Sequence, residues 1–187
     1  MAVQYKSPKM GVRMGRVALE RTFTAVDNAE IFYRHWPSEG QASKVNDTKR
    51  AVILFHRGHE HSGRQQEVVD SLNMPDYDCF AWDARGLGRS PGVRGYAENF
   101  GVFVKDADDF AHHICRQYGF KLENIAVIAQ SVGGVIAAAW VHDYAPNIRC
   151  LVLASPALKV KLYVPFARTA LGLLQKLGLT KLVPALA

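Results

Sequence analysis

Cysteine is scarce in this sequence of 187 residues, and the three that occur, Cys79, Cys115 and Cys150, lie far apart. Without a CxxC pair, the sequence indicates neither a disulfide framework nor a zinc site built on thiolates, and a reducing compartment, the cytoplasm, is expected. No apolar run reaches the roughly 18 residues that a membrane span requires. The opening stretch MAVQYKSPKMGVRMGR also lacks the apolar segment of a secretion signal.

Acidic residues are missing from both ends of the chain. None precedes Glu20 and none follows Asp143, although the formal net charge of the whole sequence is only +6. We expect residues 1–20 to form a flexible basic tail. Because aromatic residues are not interleaved with a basic stripe, the charge does not indicate nucleic-acid binding.

Patterns of strand and helix alternate from Arg50 to Ser155, after two strands predicted around an Asp27-Asn28 turn. Short apolar runs predict strands over 50–56, 77–83, 124–130 and 149–155. Apolar stripes predict helices over 62–72, with Ser62 as N-cap, over 100–119 and over 132–144. This alternation predicts an α/β fold, with a mostly parallel sheet and helices on both faces. In such sheets ligands bind at the carboxyl ends of the strands.

One serine stands at such a strand end, in the stretch AVIAQSVGGVIAAAW. Ser131 is flanked two positions away by Ala129 and Gly133, which gives the pattern A-x-S-x-G. A sharp strand-to-helix elbow brings the flanking positions close together, needs small residues there, and lifts the serine oxygen above the sheet. It also aims the N–H groups of the following helix at the same point. The alternative is a tight turn whose serine only caps the helix.

Three loops together carry a resemblance to a known family. HRGHEHSGR, DARGLGRS and AQSVGG occur in this order and resemble the H-G-x-G-E-H-S-G-R, D-x-x-G-H-G-x-S and G-x-S-x-G-G patterns of the α/β-hydrolase fold, in its monoacylglycerol lipase and lysophospholipase-like branch. The resemblance runs from about Phe23 to Leu158. Arg57 and His59 stand where that pattern has glycine, and Leu87 stands where it has histidine. The combination is similar to a bacterial subgroup in which the hydrolase is sometimes fused to a methyltransferase.

The resemblance implies a serine ester hydrolase that acts on a small-molecule or lipid ester without a cofactor or metal. Ser131 would be the nucleophile, and the backbone N–H groups of Gly58 and Val132 would form the oxyanion hole. The implied organisation is a hydrolase core over 21–157 and the start of a cap, or lid, over 158–187. The basic, leucine-rich composition of this last segment also suits weak contact with a membrane surface.

The base that a catalytic serine requires is missing from the expected place. In this fold the acid and then the histidine follow the serine along the chain. After Ser131 the sequence offers only His142 and Asp143, in the wrong order, and eleven helical positions put His142 about 16 Å from the serine. We therefore expect a fold that is incomplete at the C-terminus, an exposed edge at the strand of Leu151, and an isolated chain without activity.

Two other functions remain open. A catalytically dead binding or partner module could use the same pocket. A metal-dependent hydrolase could use His56, His59 and His61, but the H-x-H-x-D-H pattern of such enzymes fails at Gly63 and Arg64.

Overall fold

A computed structural model describes residues 15–40, 48–94 and 96–158 of the chain. Most of the predicted tail, and the predicted cap after Leu158 with its suggested membrane contact, lie outside these ranges. Within them, one mixed sheet and three α-helices follow one another in the predicted order.

The helices and strands match the apolar runs and stripes of the sequence closely. The strands are β1 (Leu19–Thr24), β2 (Glu30–Trp36), β3 (Arg50–Phe55), β4 (Tyr77–Trp82), β5 (Ile125–Gln130) and β6 (Cys150–Ala154). The α-helices are α1 (Gln66–Leu72), α2 (Phe100–Tyr118) and α3 (Val132–Tyr144), and short 3-10 turns cover Ser62–Gln65 and Leu122–Asn124.

The six strands form a single sheet in the order β1-β2-β4-β3-β5-β6. The pairs β4–β3, β3–β5 and β5–β6 are parallel, whereas β1–β2 and β2–β4 are antiparallel. Ile53 of β3 is in register with Phe80 of β4 on one side and with Val127 of β5 on the other. The carboxyl ends of these three central strands therefore lie side by side, and the loops with the unusual residues begin there.

Alternate residues of the central strands pack on opposite faces of the sheet. Ile53 and Phe55 belong to the larger core, which includes Phe110 of α2 and Trp140 of α3. Val52 and Leu54 belong to a smaller core with α1. This two-sided burial explains why the strands are continuous apolar runs, and it confirms the predicted α/β fold with helices on both faces.

The predicted N-cap of the first helix is wrong. The chain enters a 3-10 turn at Ser62, and His61 caps that turn by accepting a hydrogen bond from the Gly63 N–H at 3.1 Å. Ser62 is buried instead, and its hydroxyl accepts a hydrogen bond from the Arg34 guanidinium at 2.9 Å. A long-range partner thus takes the hydroxyl that local sequence assigned to a cap. Helix α2 ends as predicted, at Gly119.

Strand β6 is an edge strand of the described sheet. Its Val152 and Leu153 are 49% and 38% exposed, although both are apolar. The exposed edge that the sequence predicted at Leu151 is therefore present. None of the helices in the described ranges combines the length and the apolar character needed to cross a bilayer.

Candidate active site

Ser131 occupies a sharp turn between β5 and α3. Its backbone dihedrals are φ 53° and ψ −116°, which a side-chain-bearing residue rarely adopts. Its N–H donates to the Ala154 carbonyl, and its own carbonyl accepts from the N–H of Ala157, both at 3.1 Å. Its hydroxyl makes no capping bond to α3. The strained turn is the elbow that A-x-S-x-G predicts, and the end of β6 holds it in place.

Gly133 brings the first turn of α3 against β3. A Cβ at Gly133 would lie within 3 Å of the Phe55 carbonyl oxygen and closer still to the carbonyl oxygen of His56. The sequence predicted that the small residues were needed because Ala129 and Gly133 approach one another. The tight contact of Gly133 is with β3, whereas the Ala129 carbonyl lies near Gly134.

The two residues assigned to the oxyanion hole meet at this junction. A Cβ built on Gly58 would lie 3.2 Å from Cγ2 of Val132. Val132 is the first residue of α3, so its N–H has no acceptor within the helix. Among the described residues, no acceptor is recorded for the Gly58 N–H. The fold thus places these two residues, one from each loop, beside each other; the role of their N–H groups in catalysis stays a prediction.

The loop after β3 keeps a left-handed turn even where its sequence departs from the family pattern. His59, which stands where the pattern has glycine, has φ 61°. Glycine adopts this conformation without strain, whereas a histidine is destabilised there by about 1–2 kcal/mol. The loop after β3 therefore has a left-handed residue at a position where the pattern has glycine, and His59 adds an exposed side chain that lines the pocket described below.

Asp83 ties this loop to the loop after β4. The carboxylate is fully buried and accepts hydrogen bonds from the Ser62 N–H at 2.5 Å and from the Arg89 N–H at 2.8 Å. In the same loop, the Ser90 hydroxyl donates to the Asp83 carbonyl and accepts from the Phe32 N–H. Asp83 and Ser90 match the aspartate and the serine of the resembled D-x-x-G-H-G-x-S pattern. Both side chains bind backbone groups of the neighbouring loops and strands.

A pocket of about 210 Å³ opens beside the elbow. Its lining contains Gly58, Val132 and Gly133, together with His56 and His59, while Ser131 itself is not among the lining residues. Apolar side chains form most of the remaining wall, namely Trp82, Ala84, Leu87, Phe100, Phe103 and Ile136. Leu87, which replaces the family's histidine, is therefore a wall residue. Such a pocket suits an apolar chain whose polar end is near the amides.

Arg85 supports the wall formed by α2. Its guanidinium makes two hydrogen bonds to the buried Asp106 carboxylate, at 3.0 and 2.6 Å, and a further ion pair with Asp27 at 2.8 Å. The hydrogen bond to Asp106 raises the pKa of Arg85 above its ordinary range, so the cation is permanent. Two carboxylates surround this charge, which makes Arg85 a brace between the loop after β4, α2 and the β1–β2 turn.

All seven histidines lie in the described ranges, and none hydrogen-bonds to the Ser131 hydroxyl there. His142 pairs with Asp143 at 2.7 Å at the far, exposed end of α3. His35 pairs with Asp78 at 2.7 Å, a geometry that a catalytic dyad would have. That pair is three strands and four residues from Ser131, however, or about 14 Å across the sheet and 13 Å along it. His112 and His113 are held on α2 by Asp108 and Tyr33 respectively.

His56 is fixed as a neutral ring. Its Nδ1 donates to the Arg57 carbonyl at 2.7 Å, and its Nε2 accepts from the Ala84 N–H at 3.0 Å. Burial lowers the pKa of His56 below its usual value. Both nitrogens are thus engaged, so His56 is unsuited to be a base or a metal ligand. Across the described ranges, His56, His59 and His61 are not brought together as a group that could hold a metal.

Comparison with known proteins agrees with this arrangement. The model of the family Hydrolase_4, described as "Serine aminopeptidase, S33", matches residues 46–186, which is more than half of the chain. The chain belongs to the Hydrolase_4 family. It is 30% identical over 130 residues to the human protein "Monoglyceride lipase", and the alignment covers 70% of this chain and 40% of that one. The resemblance to the monoacylglycerol lipase branch of the α/β-hydrolases is therefore confirmed.

A bacterial relative is more similar in sequence. The chain is 53% identical over 162 residues to "Uncharacterized protein YnbC" of Escherichia coli (strain K12), covering 87% of this chain and 27% of that protein. The chain thus spans less than half the length of either relative. Among solved structures, a soluble variant of monoglyceride lipase from Saccharomyces cerevisiae, in complex with a substrate analog, matches 92% of this chain and 56% of its own, with a TM-score of 0.61 and 22% identity. That likeness supports the hydrolase fold.

Sequence reasoning missed several residues that shape this Hydrolase_4 site. Asp83 and Arg85 drew no assignment, although a charged residue directly after an apolar strand is a signal of a buried, hydrogen-bonded group. Phe103 was predicted only as part of the apolar stripe of the helix over 100–119, and Phe100 only as the first residue of that helix. Their place in the pocket wall depends on how α2 packs over the loops, which the periodicity of one helix does not specify.

Proposed function

We propose that this chain is the nucleophile-bearing part of a serine ester hydrolase that acts on lipid esters. The observation that carries the proposal is the strained elbow at Ser131, directly beside a pocket lined by both Gly58 and Val132. A serine that only capped a helix would need neither the positive φ nor the neighbouring amides.

In the proposed reaction the Ser131 Oγ attacks the acyl carbonyl carbon of the substrate. The carbonyl oxygen becomes an oxyanion, which the N–H groups of Gly58 and Val132 stabilise; losing one such donor costs about 3–4 kcal/mol in the transition state. The alcohol leaves with a proton, and the acyl group remains on Ser131 until water hydrolyses it. The proton passes through a histidine oriented by an acid.

We propose that this histidine belongs to a part of the protein outside these 187 residues, since none of the seven histidines hydrogen-bonds to the Ser131 hydroxyl in the described ranges, although His59 lines the same pocket. We therefore propose that the isolated chain binds esters without turning them over. The apolar wall of the pocket, with Phe100, Phe103 and Ile136, supports an acyl chain as the bound group. Relatives named monoglyceride lipase and "Probable lysophospholipase L2" support the same substrate class. The proposed reaction needs no cofactor. Three cysteines that are all free are compatible with the proposed cytoplasmic location.

The test is covalent labelling of Ser131 in a longer form of the protein that carries the missing histidine. We expect a fluorophosphonate to label that form, and Ser131→Ala to abolish both labelling and hydrolysis of a p-nitrophenyl ester. Ser71→Ala, which changes an exposed serine on α1, is the matched control and should behave as the parent. Hydrolysis that persists undiminished in Ser131→Ala would refute the assignment of the nucleophile.

Further assays on the same longer form separate the alternatives. A catalytically dead binding module would bind esters but remain unlabelled even in the longer form. Activity that EDTA removes and zinc restores would revive the metal hydrolase at His56, His59 and His61. Because the family description names an aminopeptidase, an aminoacyl p-nitroanilide belongs in the assay, and we expect the lipid ester to be the better substrate.

A further inference from the structure

The pocket beside Ser131 has an uneven distribution of charge. Arg57 and Arg85 contribute to its lining, whereas no aspartate or glutamate does among the described residues. Asp106 and Asp27 already surround Arg85. Among the lining residues that the structure describes, Arg57 is therefore the permanent cation that a ligand can reach.

An ion pair with Glu60 also holds the side chain of Arg57 in place. Its NH2 nitrogen lies 2.8 Å from the Glu60 Oε1, and its side chain stays 56% exposed while that of Glu60 is only 17% exposed. A guanidinium has five N–H donors in a planar fork. The contact with Glu60 engages one nitrogen, which leaves the other edge of the fork available to two oxygens of one anion. Phosphate oxygens match this fork, and arginine binds them in the bidentate manner.

The position of Arg57 within the loop relates this cation to the reaction. Arg57 directly precedes Gly58, the proposed oxyanion donor, and it stands where the resembled family pattern has glycine. An acyl chain against Phe100 and Phe103, with its carbonyl at Gly58, would place the alcohol part of the ester near Arg57. The cation would then meet the head group rather than the acyl chain.

We propose that Arg57 makes this pocket selective for lipid esters whose head group carries a phosphate, over neutral acylglycerols. The inference rests on the proposed function for the identity of the pocket as the ester site. It assigns to Arg57 the recognition of the head group, a role that a glycine at this position could not fill.

The test is a binding measurement with two ether-linked analogues, which contain no ester to hydrolyse. One is a short-chain alkylglycerol phosphate and the other is the alkylglycerol of the same chain length, both below their micelle concentrations. We expect the protein to bind the phosphate analogue about tenfold more tightly, as one charge-assisted contact at a partly exposed site allows. The preference should shrink as salt is raised from about 0.05 to about 0.5 M, because salt screens the attraction between the exposed guanidinium and the phosphate.

The variants make the result specific to Arg57. In Arg57→Gly, which restores the residue of the family pattern, the preference should fall to about twofold or less, and Arg57→Lys should keep part of it, as expected of a point charge. Arg89→Gln is the matched control, because Arg89 is likewise exposed and paired with a glutamate, Glu20, but its side chain is outside the pocket lining. The control should keep the full preference.

Equal affinity of the parent protein for the two analogues would overturn the proposal, as would a preference that survives in Arg57→Gly. Failure of both analogues to bind would overturn it as well. None of these outcomes depends on Ser131 chemistry, so failure here and failure of fluorophosphonate labelling are distinguishable.

Discussion

Replacing Gly133 by alanine should damage the elbow more than any other single methyl group added to α3. The new Cβ would overlap the backbone carbonyls of Phe55 and His56, at the end of a central strand that cannot move aside. Overpacking a core site costs about 1–3 kcal/mol, and a backbone neighbour places this one at the upper end. Since alanine favours a helix over glycine by about 1 kcal/mol, we expect a net loss of about 2 kcal/mol in the free energy of unfolding.

The assay is urea unfolding followed by the fluorescence of the buried tryptophans Trp36, Trp82 and Trp140. Gly134→Ala provides the control at the next position. Its added Cβ would lie 3.1 Å from the Pro156 side chain and no closer than 3.3 Å to a backbone atom. The helix gain and the tighter contact should therefore nearly cancel, within about 1 kcal/mol. A Gly133→Ala variant as stable as Gly134→Ala would show that β3 and α3 separate freely, and would refute the close approach on which the elbow depends.

Three further outcomes follow from the described contacts. Arg16 donates to the carbonyls of Trp36, Pro37 and Tyr77 at 2.5–2.8 Å, so Arg16→Gln should lower the free energy of unfolding by about 1–3 kcal/mol. Arg21→Gln, at an exposed site, should lower it by less than about 0.5 kcal/mol, and equal effects of the two variants would contradict the prediction. Burial lowers the pKa of both His56 and His113. The unfolded chain therefore takes up protons at these histidines before the folded chain does, as pH falls below about 6.5. The free energy of unfolding in urea should be lower at pH 5.5 than at pH 7.5, and an equal or higher value would contradict the prediction. The 187-residue chain alone should give no Ser131-dependent turnover of a p-nitrophenyl ester at ordinary enzyme rates of about 1–10³ s⁻¹; such turnover, lost in Ser131→Ala, would mean that one of the present histidines is the base.

The elements that were predictable from sequence are those with a strong local signal. Apolar runs located β3 to β6, a helical stripe ended by Gly119 located α2, and A-x-S-x-G located the elbow, because in each case neighbours in sequence set the conformation. The family resemblance then related these elements to one another. Periodicity alone predicts neither the order of the strands in the sheet nor the contact between Gly58 and Val132.

The residues that were misjudged have partners far away in the sequence. Ser62 was expected to cap a helix, but its hydroxyl and its N–H bond to Arg34 and to Asp83, 28 and 21 positions away. His35 was not considered as part of a dyad, since its acid, Asp78, is 43 positions distant and on a different strand. Such pairings become visible only when the register of β2 with β4 is known.

In the proposed function, the arrangement of the loops separates ester binding from proton transfer. The proposed oxyanion donor Gly58 and the proposed head-group residue Arg57 follow β3, the bracing Asp83 follows β4, and Ser131 follows β5, so three adjacent parallel strands supply them all. A buried hydrogen bond from the Ser62 N–H to the Asp83 carboxylate links the loops after β3 and β4. Gly133, in the first turn of α3, lies close against the end of β3. In the proposed function, this half of the site would therefore be formed independently of the histidine. The pocket would bind an ester with its carbonyl intact, and hydrolysis would begin only when the proposed base reaches Ser131.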